Sequence, residues 1–330
     1  LNLKGFERWG RRVLQTPLKR LLLSGEPGRP PSCPERILVV RVDNRLGNLV
    51  MLTSLLNALR EKFPRAEVSV LVSNVFHPIL EGQGWKLIPV AKKTMARRPW
   101  MLLGLVHRLR EQGFDVVIDA SHPHGFSLSS AVITALAGCP HRIGSPLGAE
   151  PGWYTCSPSS MPGTDQHESR ALHAVGAVWP GWPRWRPPRL ALPREPRSRL
   201  IGIHPGAKGD KAFPPEFFLE LVERFAELAP VEVFWGNSQE ERVADALVQS
   251  GGIKMPPMSV REFAQKVAGL GVFVCPDSGP MHVASAMGVP VIALFTKDDA
   301  CRFGPLSPWS VSLTRPETDQ VVRCVKALFR

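Results

Sequence analysis

Four stretches of this 330-residue chain combine small residues with charge in ways that suit chemistry on a phosphorylated ligand. The first is HPGAKGDK at 204–211, which follows an apolar run and precedes a helical pattern. Backbone amides around Gly206 and Ala207, followed by Lys208 and Lys211, can cradle phosphate, with Lys211 placed to neutralise a leaving diphosphate. The same lysines would equally serve as solvated charges on a loop, and the P-loop pattern GxxxxGK[ST] is absent. The second is CPDSGPMH at 275–282, where an apolar strand runs into Asp277, Ser278 and Gly279 and then a helix. Asp277 and Ser278 suit a helix cap, the free amides behind them would face an anion, and Gly279 admits close approach to the backbone. The third, WGNSQEE at 235–241, ends a strand and opens a helix with carboxylates. Those acids either serve the helix dipole or hold a ribose diol. The fourth is RLGN at 45–48, where Gly47 allows close approach and Asn48 suits a cap. It reads as a structural turn on its own and is not the GxGxxG dinucleotide fingerprint.

Each stretch needs a strand and a helix to hold it, and the surrounding pattern supplies both. Short β-branched runs at 36–42, 68–72, 114–119, 200–204, 231–235, 272–275 and 289–295 are expected to be strands. Helices are expected at 49–63, 128–137, 215–228, 240–250, 259–270 (with Ser259 as N-cap), 281–287 and 319–329. A further helix over 100–109 opens after Pro99. The alternation predicts a parallel α/β sheet, twice over. Between the two series, WPGWPRWRPPRLALPREPRSR at 179–199 is too rich in proline for a helix or central strand and is read as the connection. In open α/β sheets ligands bind beyond the carboxyl ends of strands, where all four stretches fall.

The charge is as uneven as the motifs. The net charge is +12. Residues 1–30 carry seven cations against two carboxylates, and residues 86–111 carry seven, including Lys92, Lys93, Arg97 and Arg98, against Glu111 alone. Such patches suit a polyanionic partner: nucleic acid, an anionic membrane surface or a phosphorylated glycolipid. In the first, Trp9, Phe6 and several leucines accompany the cations, as in an interfacial membrane anchor or a helix packed on its own protein. Neither has the aromatic spacing of a nucleic-acid stacking platform. The start is basic but has no compact apolar segment of signal-peptide type, and no run is long enough to span a membrane. Six scattered cysteines without a CxxC pair favour a reducing compartment. No GxSxG elbow supports a serine hydrolase, and His122 and His124 in SHPH read as loop residues rather than metal ligands.

Taken in order, these turns resemble glycosyltransferase family 9, the ADP-heptose:lipopolysaccharide heptosyltransferase family. The likeness covers roughly residues 36–315. It comprises strand–RLGN–helix, FDVVID with a later GCPHRIG, HPGAKGDKAFP, WGNSQEE, PPMS and PDSGPMHVASAMGVPVIALF followed by FGP. The resemblance implies an α/β, GT-B architecture: two Rossmann-like domains facing each other across a cleft. A basic N-terminal segment and linker would occupy 1–34, an acceptor domain 35–178, the proline-rich linker 179–199 and a donor domain 200–330. It implies inverting, metal-independent transfer of a heptose from an ADP-sugar to an anionic lipopolysaccharide-core or related glycan, with no cofactor. On this reading Lys211 contacts donor phosphate, Glu240 holds the ribose and Met258 lies near the adenine. Gly206, Ala207, Lys208, Asp277, Ser278, Gly279, Pro280 and His282 complete the donor site. Arg45, Gly47, Lys92, Lys93, Arg97 and Arg98 would meet the acceptor. The family's setting implies a cytoplasmic protein, peripheral on the inner face of the membrane, that does not bind nucleic acid.

One departure bears on catalysis. The family has Gly-Asp at the first turn, the Asp being its proposed general base, whereas this chain has Gly47 and Asn48. An amide cannot take a proton from a hydroxyl. Either Asp43, the nearest carboxylate and otherwise a turn-forming residue, substitutes for it, or the chain is a non-catalytic relative that binds glycan or nucleotide.

Overall fold

The computed structural model describes residues 28–91, 98, 100–147, 152–194 and 196–329. The basic segment at 1–25 and the cations Lys92, Lys93 and Arg97 lie outside the described residues. The chain divides into two compact units. One holds the residues up to Asn44 with Ser54–His77 and Gly84–Trp185; the other holds Arg45–Thr53, Pro78–Gln83 and everything from Arg186.

The first unit is built on β1 (Arg36–Arg41), α1 (Leu46–Lys62, shared with the second unit), β2 (Glu67–Ser73), β3 (Lys86–Val90), α2 (Trp100–Glu111), β4 (Val116–Asp119), α3 (Leu128–Leu136), β5 (His141–Ile143) and α4 (Glu168–Ala174). Its strands pair in the order β3-β2-β1-β4-β5, all parallel. Central β1 and β4 are buried along almost their whole length, which is why their sequences are continuous apolar runs. Leu38, Val40, Leu71 and Val117 pack with Leu105 and Leu109 of α2. β3 was not anticipated; its KLIPV begins with a cation and contains Pro89, which an edge strand tolerates.

The second unit follows with β6 (Ile201–Ile203), α5 (Pro215–Ala226), β7 (Val231–Val233), α6 (Ser238–Gln249), β8 (Gly252–Lys254), α7 (Val260–Val267), β9 (Val272–Pro276), α8 (Gly279–Ala286), β10 (Val291–Phe295), α9 (Ala300–Phe303), β11 (Val311–Thr314) and α10 (Thr318–Leu328). The sheet order is β11-β10-β9-β6-β7-β8, again parallel. Phe218, Leu221, Val222 and Phe225 of α5 meet Val321, Val322 and Val325 of α10 over the sheet. Each sheet starts at its middle and grows first one way, then the other. The doubly wound order therefore gives a switch point between β1 and β4 in one unit and between β6 and β9 in the other.

Several helices open earlier than expected. α1 begins at Leu46 rather than 49, because Leu49 N already donates to Arg45 O at 3.2 Å. Gly47 and Asn48 therefore sit in the first helical turn, not in a turn before it. α6 begins at Ser238, capped by the Asn237 side chain, and α8 at Gly279, with Pro280 in its first turn where no N–H is needed. α7 has the expected cap, with Ser259 and Glu262 forming a reciprocal capping box, but ends at Val267. The described residues of the stretch 179–199 form no helix or strand. It is nonetheless packed: Trp179 is buried edge-on against Phe63 at 5.0 Å and donates its indole N–H to Pro31 O at 2.9 Å.

Candidate functional site

The switch point of the second unit is bounded by the chain leaving β6 and the chain leaving β9. His204 N donates to Val274 O at 3.1 Å and Asp277 N to Leu294 O at 3.1 Å, so both loops spring directly from the sheet edge. A short 3-10 turn, Gly209–Lys211, then carries Lys211 back over the β9 loop. There its ammonium ion-pairs with Asp277, which is only 7% exposed, and lies 5.4 Å above the ring of Phe303. Thr296 Oγ1 donates to Asp210 O at 2.8 Å and Lys297 pairs with the Asp210 carboxylate, tying the lysine loop to the chain beyond β10. Lys208 and Gly209 are exposed.

Beside this ion pair opens the N-terminus of α8. Ser278 occupies its N-cap position, yet its side chain makes no cap bond, and its Oγ is buried without a hydrogen-bond partner among the described residues. A buried hydroxyl and helix-start amides beside a lysine form a ready cradle for an anion. His282, one turn into α8, is buried, and burial first and then the Lys211 charge lower its pKa to about 4. It is therefore a neutral imidazole at pH 7. Within the same unit Gly47 lies against this ring, so closely that an added Cβ would overlap it. Gly47 is thus a glycine because His282 occupies the space a side chain would need.

A second group forms at the start of α6. Asn237 Oδ1 accepts from Gln239 N at 3.0 Å and Glu240 N at 3.1 Å, fixing the first turn. Glu240 folds back so that its Oε2 accepts from Gly236 N at 2.8 Å and lies 3.3 Å from His204 Nε2. Partial burial pushes the Glu240 pKa up, but the bonds from His204, Gly236 and Asn237 outweigh it and leave the carboxyl below its ordinary value. Met258 is half-buried just ahead of the capped start of α7.

In the first unit the carboxylates at the switch point are Asp43, just past β1, and Asp119, the last residue of β4. Arg41, almost fully buried, binds Asp43 Oδ2 through Nε at 2.6 Å and donates through Nη1 to Ala120 O. Asp43 keeps about a quarter of its side-chain surface exposed. Asp119 was read only as a strand end. It is buried, accepts from Ser121 N at 3.0 Å and from Tyr154 Oη at 2.8 Å, and has its pKa raised by burial against the lowering effect of those bonds. Its side-chain partner Tyr154 is remote in sequence, so no local spacing marks the pair. Asn48 is half-buried, and Arg45 and Arg98 are exposed. His124, expected as a plain loop residue, has its Nε2 3.5 Å from Glu168 Oε2 of α4. Among the described residues no group of three or more His, Cys, Asp or Glu side chains is placed to hold a metal ion.

Residues 188–326 match the family model described as glycosyltransferase family 9 (heptosyltransferase). Lipopolysaccharide heptosyltransferase 1 of Pseudomonas aeruginosa is 25% identical over 305 residues, which is 83% of this chain and 79% of that protein. Lipooligosaccharide heptosyltransferase 2 of Campylobacter jejuni is 22% identical over 121 residues, 34% of this chain and 37% of that protein. Among solved structures, the Escherichia coli heptosyltransferase WaaC with ADP superposes with a TM-score of 0.75 at 19% identity, covering 89% of this chain and 99% of that one. The E. coli ADP-heptose lipopolysaccharide heptosyltransferase II gives 0.72 at 20% identity, over 89% and 98%. Residues 188–326 thus match glycosyltransferase family 9, and the fold over most of the chain is that of the solved heptosyltransferases.

Proposed function

We propose that this chain transfers a heptose from an ADP-activated donor to an anionic lipopolysaccharide-core acceptor, by direct inverting displacement and without a metal. The observation that carries the donor half of this reading is the convergence at one sheet edge of Lys211, paired with Asp277, and the α8 N-terminus with its Ser278 hydroxyl, unpartnered among the described residues. That arrangement suits a diphosphate, whose negative charge grows as it leaves. In the reaction an acceptor hydroxyl oxygen attacks the anomeric carbon, the bond from that carbon to the diphosphate oxygen breaks, and ADP departs with the bonding pair. A single displacement inverts the anomeric centre. The hydroxyl proton passes to a base, for which Asp43 is the proposed group, since Asn48 has no basic lone pair. Glu240, ionised and set at the start of α6, would take the ribose hydroxyls, with Met258 toward the adenine.

Arg45 and Arg98, with Lys92, Lys93 and Arg97, would attract the acceptor's phosphates and acidic sugars. No helix among the described residues is long and apolar enough to cross a membrane. Peripheral attachment to the inner membrane face through the basic segments is the proposed way of reaching a lipid-borne acceptor. Asn48 specifically favours a second reading, a non-catalytic relative that binds the nucleotide without turning it over.

The test is titration calorimetry with ADP, followed by ADP release from ADP-heptose in the presence of core glycolipid. The reading expects ADP binding, weakened at least tenfold in Lys211→Glu, which sets a carboxylate against Asp277 and the diphosphate. An absence of ADP binding in the wild-type chain would refute it. Binding without turnover would select the second reading.

A further inference from the structure

The surroundings of Glu240 fix more than its charge. His204 is buried at the end of β6, and its Nδ1 accepts from Gly206 N at 3.2 Å. A nitrogen that accepts carries a lone pair, so the proton of the neutral ring sits on Nε2. Nε2 therefore donates to Glu240 Oε2, 3.3 Å away. The same oxygen accepts from Gly236 N at 2.8 Å. Two donors from different loops, both on Oε2, fix the plane of the carboxylate and turn Oε1 toward the backbone at Gly206. A Cβ at Gly206 would collide with that carboxylate, lying only 2.7 Å from Glu240 Cγ. Gly206 carries no left-handed φ, so the reason for a glycine here is the space and not the backbone angle.

We infer that His204 and Gly206 are positioning residues that orient Glu240 so that the site selects a ribose diol over a deoxyribose. The inference rests on the nucleotide-sugar reading above. An ionised carboxylate accepts hydrogen bonds only, so what it selects is a donor, and the paired hydroxyls of a ribose supply two. His204 spends its only N–H on Oε2, Gly206 spends its N–H on His204, and neither reaches the ligand in this role. Their effect is on discrimination, because a carboxylate free to rotate would follow whichever ligand enters.

Titration calorimetry on the full chain, with ADP and 2′,3′-dideoxy-ADP as the two probes, tests this. The wild-type chain is expected to prefer ADP by about tenfold or more, the worth of one hydrogen bond to a charged group. In His204→Phe, which can neither donate nor accept, ADP should weaken about tenfold while dideoxy-ADP is unchanged, so the preference collapses. His204→Gln, whose side-chain amide can still donate, should retain most of it. Gly206→Ala should lose it with the histidine intact, and it carries the test alone if thermal scans show His204→Phe unfolded. The inference is overturned if the wild-type chain binds both nucleotides equally, if Gly206→Ala keeps the preference, or if His204→Phe weakens both alike. Failure of the wild-type chain to bind either nucleotide would instead remove the donor-site reading beneath it.

Discussion

His282 provides a measurement that reads the packing around the proposed diphosphate site directly. Its ring is 8% exposed in α8, and burial together with the Lys211 charge lowers its pKa from 6.5 to about 4. The sign follows from which state binds the proton. Between those two values the unfolded chain takes up a proton that the native chain refuses, so the native state is fully favoured above 6.5 and loses that advantage as pH falls toward 4. Going from pH 7 to pH 4.5 should cost roughly 2 kcal/mol through this one group, with a steepest slope of about 1.4 kcal/mol per pH unit. Urea unfolding followed by circular dichroism at four pH values in this range would record it. Other shifted groups contribute too: His173, its pKa lowered chiefly by burial, acts in the same direction, and Asp119, its pKa raised by burial, acts in the opposite one. Subtracting the curve of His282→Gln cancels both. The difference should grow by roughly 2 kcal/mol toward low pH. Parallel curves for the two proteins would show that His282 is not held neutral beside Lys211, and the electrostatic description of the site would fall with it. Saturating ADP should flatten the wild-type curve, because a diphosphate beside Lys211 offsets the charge that keeps the proton away.

The remaining expectations concern the base, a helix cap and the lipid surface. Asp43→Asn keeps the side chain's shape beside Arg41, and it should lower turnover of ADP-heptose at least about 100-fold with ADP affinity intact; near-wild-type turnover would eliminate Asp43 as the base. Asn48→Asp adds an acid to the first turn of α1, which has none, so stability should change by less than about 0.5 kcal/mol, and a large gain in turnover would mark the native site as crippled. Ser259→Ala removes half of the α7 capping box and should cost about 1 kcal/mol, read as a lowered urea midpoint with unchanged slope. Vesicles containing anionic lipid should bind the full chain and release it as salt rises, and removal of residues 1–25 should weaken that binding; binding unaffected by the deletion would refute the docking role of that segment.

How much of this was legible in the sequence depended on where each residue sits in its sheet. β1, β4, β6, β9 and β10 lie inside their sheets and are covered on both faces, so each advertises itself as an apolar run. β3, β8 and β11 are edge strands, and they read KLIPV, GIK and VSLT; a cation, glycines or polar residues hide them because an edge has solvent to satisfy it. The turns proposed to face the phosphates stood out in the sequence because glycine, lysine and aspartate follow an apolar strand there. Their partners did not. That Lys211 pairs with Asp277, or that His204 meets Glu240, is decided by the doubly wound order, which lays the ends of β9, β6 and β7 side by side. No spacing along the chain encodes it.

The same topology narrows the question that Asn48 raises. At the first unit's switch point the strands β1 and β4 deliver two carboxylates, and a base must be both reachable and able to receive a proton. Asp119 is 4% exposed, and its two oxygens already accept from Ser121 N and Tyr154 Oη. Freeing either would leave a buried donor without its acceptor, at a cost of about 1–3 kcal/mol. Its role is to pin the chain around Tyr154, packed against Gly144, to the end of β4. Asp43 differs in exposure: about a quarter of its side-chain surface is open, and the Arg41 guanidinium binds its Oδ2 and holds the carboxylate in place. Of the two, the exposure of Asp43 is what supports the proposal that it, and not Asp119, serves as the base.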